Sequence, residues 1–332
     1  MDKKIDKNLI NNITVIIREA NERTLPLCRE LIESEVGSDK MFVVSEAPFT
    51  KALKKTYEVA IERGSPWTLV IDADVLVRKG AIEYLLRVAQ CLDSNVFKIH
   101  GKVIDKLAGG TRAAGIHLYR TAYLHKAITI IPPEKAVARP EGHTAKQMKS
   151  QGFPFLEPDL VVGLHDYEQY FRDVYRKAFF HAHKHRSELF YWESMWRNLS
   201  HCDDDLKVAL KGAMDGKKYR GKVLPDVRQF HSVKFDKILN DLSLREKTGL
   251  PSNYWSPQEV ANIVANYFPS SEYWAWRSMS RNNSKNQIEK RLNPWEKLNA
   301  IMKKRGIRKA SLWAVGSVLA RSGIALKNWS EN

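Results

Sequence analysis

The chain has 332 residues, 43% of them hydrophobic, which is enough for one large domain with its own core plus an appendage. Its 54 Lys and Arg exceed 38 Asp and Glu, and the resulting +16 calls for an anionic partner: nucleic acid, anionic lipid or a phosphorylated glycan. Three scattered cysteines exclude a disulfide framework, no run approaches the roughly 18 apolar residues of a membrane span, and Met1-Asp-Lys-Lys has no signal-peptide character, so a cytoplasmic protein is expected.

Ile13 to Ile17 is a continuous β-branched run, the pattern of a strand buried on both faces, and it stops at Arg18-Glu19-Ala20-Asn21-Glu22-Arg23-Thr24. Thr24 is placed to cap a helix carrying Leu25, Cys28, Leu31 and Ile32 at helical spacing, with Pro26 in its first turn and Gly37 as its stop. Met41 to Val44 predicts a second strand, closed by Ser45-Glu46-Ala47-Pro48. A helix from about Thr50 sets Ala52, Leu53, Tyr57, Ala60 and Ile61 on one stripe and ends at Gly64. The third strand, Trp67 to Ile71, runs straight into Asp72-Ala73-Asp74. The order β-α-β-α-β implies a parallel sheet with right-handed crossovers, whose carboxyl edge is where open α/β folds keep their ligands.

Two carboxylates one residue apart at that edge suit a hard divalent ion. Mg²⁺ or Mn²⁺ takes one or two carboxylates plus substrate phosphates, and a nucleotide diphosphate-sugar brings two phosphates whose departure such an ion assists as a Lewis acid. The plain alternative for an Asp-x-Asp triplet is a pair of solvated or helix-capping acids; the apolar strand before it favours the metal.

These strands, their helices and Ile71-Asp72-Ala73-Asp74 resemble the nucleotide-sugar half of a GT-A-type glycosyltransferase, most similar to family 2, well over residues of about 10 to 90 and more loosely to about 185. The resemblance implies a GT-A-like (Rossmann-like), mostly parallel sheet flanked by helices. It implies donor contacts from Arg18, Glu19, Asn21, Arg23 and Glu46 at the first two strand ends, and from Asp72. Arg18-Glu-Ala-Asn21 stands where the family has Pro-x-Tyr-Asn, which leaves the base preference open.

Asn95 to Tyr123 predicts strands around a glycine-rich bend. Gly109, Gly110 and Gly115 either let backbone approach a ligand or simply turn a hairpin, and Lys102, Arg112 and Arg120 face either diphosphate or water. A further apolar run, Leu160 to Val162, leads to His165-Asp166-Tyr-Glu168, and Asp166 is placed to cap a helix through Tyr170, Val174 and Ala178. Family members carry an acidic pair at such a helix start, which implies Asp166 as the general base toward the acceptor, with Glu168 in reserve. They often complete the metal shell with a late histidine, which implies His165 beside Asp72 and Asp74. His181-Ala-His183-Lys-His185 competes for that place, but His183 would lie roughly 25 Å along the same helix. That run reads instead as a basic surface toward acceptor phosphate or lipid, or as a solvated helix end.

Beyond about Ser187 the pattern is helical and aromatic, and Gly216 to Pro225 and Leu250 to Pro257 have linker composition. The expected division is a catalytic domain over 10–186 and a mainly helical region over 187–332 that contacts acceptor or membrane surface. Residues 302 to 328 set basic side chains around Trp313, as an interfacial helix on an anionic membrane does, or pack on the catalytic domain. The expected function is metal-dependent, inverting sugar transfer from a nucleotide sugar to a glycan or lipid-linked acceptor, in cell-surface polysaccharide or glycolipid synthesis. A sugar nucleotidyltransferase is the nearest alternative, but it needs a glycine-rich phosphate loop that Arg18 to Thr24 lacks. A non-catalytic basic module for nucleic acid or membrane is the other, and there the acidic Asp-x-Asp edge counts against nucleic acid.

Overall fold

All six residues of Ile13–Arg18 are buried because the strand they form, β1, has a neighbour on each side and a helical layer on each face. The computed structural model describes residues 10–278 with the exception of Pro225, and those up to Tyr273 belong to one compact unit. Helix α1 (Leu25–Val36), β2 (Met41–Val44), α2 (Phe49–Arg63) and β3 (Trp67–Asp72) follow, with β1 parallel to both β2 and β3. Side chains alternate along β1: Ile13, Val15 and Ile17 pack with Leu27, Leu31 and Ile32 of α1, while Ile16 packs with Leu53 and Tyr57 of α2.

The second half departs from a simple parallel sheet. Two residues after β3, strand β4 (Val75–Val77) begins, yet it pairs with the distant β8 (Val161–His165). Between them lie α3 (Ala81–Gln90), β5 (Lys98–Asp105), β6 (Gly110–Arg120), α4 (Leu124–Thr129), α5 (Pro140–Ser150) and β7 (Phe155–Leu156). The strand order is β2-β1-β3-β6-β5-β8-β4, with β7 added to β5, and β6 runs antiparallel to β3. The expected α/β architecture is present, with a sheet that is mixed. Because Ala73 and Asp74 alone separate β3 from β4, the far end of the strand path must return to the end of β3, so the sheet curls. Two features bend the β5–β6 hairpin to allow this: a register shift between His100 and Lys102, and Gly115 at φ 62°. A Cβ at Gly115 would lie 2.5 Å from Val75 Cγ2 and 3.3 Å from His165 Cδ2, so the curl closes tightly over the ends of β3 and β8.

A second core joins α6 (Phe171–Lys184), α7 (Leu189–Leu199), α8 (Asp204–Lys218) and α9 (Phe235–Asp241) with Leu107 and Ala108 of the β5–β6 turn. Gly212 and Gly216 let α8 approach α6, since a Cβ there would meet the carbonyl oxygens of Tyr175 and Phe179 at 2.4 and 2.6 Å. Gly216 is therefore a packing residue inside a helix, not the start of a linker. Helix α10 (Pro257–Ala265) adds Val260 to the first core. No helix among the described residues is long and apolar enough to cross a membrane, and the basic segment 302–328 lies outside the described residues.

Candidate functional site

The Asp-x-Asp turn is held by backbone and by a single buried hydroxyl. Ala73 N donates to Arg18 O (2.9 Å), and Asp166 N donates to Asp74 O (3.3 Å). Thr24 Oγ1 donates to Ala73 O (2.7 Å) and accepts from Gln169 Nε2 (2.9 Å). Thr24 thus precedes α1 but makes no side-chain cap bond; it ties the first loop to the acidic turn instead. Asp166 does not cap a helix either. It has φ 63°, α6 begins only at Phe171, and the amides of Phe171 and Arg172 are met by the Glu246 carboxylate at 2.8 and 3.0 Å. Left-handed backbone at a non-glycine residue is strained, and here it turns the Asp166 side chain into a buried site.

There the ends of β3 and β8 meet. Asp74, His165 and Asp166 each offer a ligand atom within 4.8 Å of the others. Asp74 Oδ1 and Asp166 Oδ2 are buried without a hydrogen-bond partner, facing His165 at 3.5 Å (Nε2) and 3.1 Å (Nδ1). Two carboxylates and an imidazole, with an acceptor oxygen unused on each acid, fit a divalent cation. The same negative charge acts on protein groups. Burial alone would push His165 down, but Asp166, Asp74 and Asp105 push it up to about 10. Burial would push Asp166 up, but His165 and Lys177 hold it well below the carboxylate range. The Lys177 ammonium bridges the two acids, bonding Asp74 Oδ2 at 2.5 Å and Asp166 Oδ1. Asp105, at the end of β5, accepts from His165 Nδ1 (2.8 Å) and Arg112 Nε (2.5 Å).

Asp72 stands beside this group. Its carboxylate is 30% exposed and bonds Arg18 Nε at 2.7 Å, while Arg18, 4% exposed, also donates to Glu141 of α5 at 3.1 and 3.3 Å. Burial, opposed by Arg18 and helped by Asp74 and Glu141, pushes Asp72 up to about 6. Glu141 further joins His117 Nε2 (2.9 Å) and Tyr119 OH (2.5 Å). Burial and Asp74 push Glu22 up to about 7. A groove of about 540 Å³ runs over these groups, lined by Glu22, Asp72, His165, Asp166 and Lys177 and continuing past Arg112 and Arg139 to Lys184.

The remaining expected residues fall elsewhere. Arg23 donates to Glu168 Oε2 (2.8 Å) and Thr248 O (2.7 Å). Asn21 and Arg23 line a second cavity with Tyr170 and Phe235. Glu19 accepts from Asn21 N (2.6 Å), and Glu46 is exposed. Lys102 pairs with exposed Asp159, and Arg120 stacks on Trp67 at 4.5 Å; Arg112 alone of those three lines the groove. Over Gly109 and Gly110 the close neighbours are Met195 and Tyr273 side chains. His183 Nε2 donates to the carbonyl oxygen of Gly216 in α8 (2.7 Å), whereas His181 faces the groove.

Sequence reasoning passed over Asp105, Glu141 and Lys177. Val103-Ile104-Asp105 repeats the apolar-strand-into-aspartate pattern of Val70-Ile71-Asp72 and was recognisable on that ground. Asp173, Arg176, Lys177, Phe180, His181 and Lys184 all line the groove at 3-1-3-1-3 spacing, one face of a helix. Glu141 has no such signal, because its partners come from β1 and β6.

No protein-family model and no curated protein matches this sequence. Among solved structures, a mannosyltransferase from Pyrobaculum calidifontis in complex with GDP-Man and Mn²⁺ is similar at 14% identity, covering 81% of this chain and 83% of its own, with a TM-score of 0.35. A glycosyltransferase involved in glycosylation of the major capsid of PBCV-1 is similar at 14% identity over 44% and 81%, TM-score 0.32. A cytidylyltransferase from Leptospira borgpetersenii is similar at 9% identity over 59% and 96%, TM-score 0.36. What the groove does has to be argued from its own residues.

Proposed function

We propose that this chain transfers a sugar from a nucleotide-sugar donor to an acceptor hydroxyl, with Mn²⁺ or Mg²⁺ held by Asp74, His165 and Asp166. The observation that carries the reading is the meeting of two strand ends: an Asp-x-Asp turn after β3 and a His-Asp step after β8 converge below a groove large enough for such a donor. When bound, the ion supplies Lewis-acid stabilisation of the leaving diphosphate. Asp72, held by Arg18 beside the ion group, orients the donor's nucleoside end, and Lys177 adds a full positive charge next to the diphosphate. An acid that gives oxygens to an ion is poorly placed to take a proton, so we assign proton removal to Glu22, which lines the same groove and is held near neutrality. Transfer in one step from the opposite face inverts the anomeric centre.

Against nucleotidyl transfer, the first loop offers no amide cradle for a triphosphate. The amides of Ala20 and Asn21 are already taken by the carboxylates of Glu22 and Glu19, both at 2.6 Å.

A panel of nucleotide sugars, screened for thermal stabilisation with and without Mn²⁺, tests the reading. One donor should stabilise the protein only with the ion, and Asp74→Asn should erase the effect. Stabilisation by a nucleoside triphosphate and by no nucleotide sugar would overturn it. Roles separate by ion binding: Glu22→Gln should keep Mn²⁺ and lose kcat, whereas Asp166→Asn should lose Mn²⁺. An Asp166→Asn protein that keeps Mn²⁺ and loses only kcat returns the base role to Asp166.

A further inference from the structure

The far end of the groove is cationic and lacks its counter-charge. Arg112 of β6, Arg139 just before α5 and Lys184 at the end of α6 line it together. Arg112 is paired to Asp105, but among the described residues neither Arg139 nor Lys184 makes an ion pair. Arg139 Nη2 instead lies 2.7 Å from His185 Nε2, and the Lys184 ammonium lies 5.3 Å from the centre of the Phe180 ring. Glu188 acts on Arg139 at longer range and is itself 3.5 Å from His185. Burial, Arg139 and Arg112 push Lys184 down to about 7, against Asp105 and Asp166, and burial with Arg112 also lowers Arg139. The acids that would relieve this are engaged: Asp105 by Arg112 and His165, Asp166 by Lys177. Half-desolvated like charges held together are unfavourable unless an anion completes them.

We infer that Arg139 and Lys184, backed by Arg112, form a subsite for a phosphate group carried by the acceptor. Two phosphate sources share this chemistry, the acceptor and the donor diphosphate. Position favours the acceptor: Lys177 of α6 bridges Asp74 and Asp166, whereas Lys184 lines the same groove two turns, about 10 Å, further along that helix. The planar guanidinium of Arg139 and the mobile ammonium of Lys184 together suit a tetrahedral oxyanion. The acceptor assignment rests on the transferase reading; the existence of an anion site does not.

The test is calorimetric titration of the full chain with inorganic phosphate, and separately with a nucleoside diphosphate plus Mn²⁺, at matched ionic strength. Arg139→Ala and Lys184→Met, singly and together, are compared with the parent, with melting curves as the folding control; Arg139 is exposed, so its variant is the least disruptive. Phosphate affinity should fall at least tenfold in the double variant, with nucleoside-diphosphate affinity changed less than twofold. Unchanged phosphate affinity overturns the subsite. Parallel tenfold losses of both ligands overturn the acceptor assignment and give these cations to the donor. Phosphate binding with no nucleoside diphosphate bound by the parent overturns the transferase reading while leaving the anion site in place.

Discussion

The two ends of one groove handle charge in opposite ways. At the β3–β8 end every one of four acids touches a cation: Arg18 on Asp72, Lys177 shared by Asp74 and Asp166, Arg112 on Asp105. At the α6 end neither Arg139 nor Lys184 is ion-paired among the described residues. A protein that only needed to fold would neutralise both ends. On the proposed reading, the acidic end exchanges one cation for another and the basic end gains an anion, so that ligands, not folding, complete the balance.

The strongest way to break the contrast is to remove an acid from the exchanging end. Asp74→Asn should lower transfer by on the order of 10³-fold, because Lewis-acid stabilisation is worth several kcal/mol and each 1.36 kcal/mol is tenfold. Steady-state rates across a Mn²⁺ titration check this, and a loss restored by excess ion would locate the defect in affinity. Next comes the support beneath Asp72. Glu141→Gln strips a buried charge from Arg18 and His117, and removal of one partner from a buried network costs about 3 kcal/mol or more. Urea unfolding should show that loss with unchanged slope.

Lys177→Met sharpens the comparison in the other direction. With the bridging ammonium gone, Asp74 and Asp166 repel each other, so the melting temperature should fall without ion and recover with Mn²⁺. The affinity for Mn²⁺ should rise about tenfold, or roughly 1.4 kcal/mol. Equal Mn²⁺ binding by variant and parent would show that Lys177 does not share the ion's place.

The smallest effect is a pH dependence at the basic end. Lys184 lies in the field of Arg112, Arg139, His181, His185, Asp105 and Asp166, and burial with the neighbouring cations pushes it down to about 7 from an ordinary 10.5. The unfolded chain therefore binds more protons between pH 7 and 10.5, so this group makes stability rise with pH over that window. Anion binding has the opposite sign, because the charged form is the binding form. Phosphate affinity should fall several-fold from pH 6 to 8, and Lys184→Arg should flatten that fall.

Local patterns made the first five elements of this molecule legible. Strand β1, helix α1, strand β2, helix α2 and strand β3 all follow from apolar periodicity and from stops at Gly37 and Gly64, since each of those signals lies within the element it defines. What escaped was non-local. The transfer of β4 to β8, the Glu246 carboxylate at the start of α6 and the Glu141 link to Arg18 join residues 74 or more positions apart, and the α6 start was misplaced because Glu246 does the capping expected of Asp166. At the site, strand ends and the family resemblance pointed to Asp74 and His165, and the structure brings these two together with Asp166. Their closeness depends on the curl at Gly115, whose turn has no signature beyond a glycine in a strand.

The central claim is that the ends of β3 and β8 together hold a divalent ion. Mn²⁺ electron paramagnetic resonance on the full chain, with a nucleoside diphosphate present, tests it most directly when the parent is set against Asp74→Asn, His165→Ala and Asp166→Asn. The account predicts bound Mn²⁺ in the parent and at least tenfold weaker binding in each variant, with Asp72→Asn affected less. Binding that all three variants retain, or that only Asp72→Asn abolishes, would contradict it.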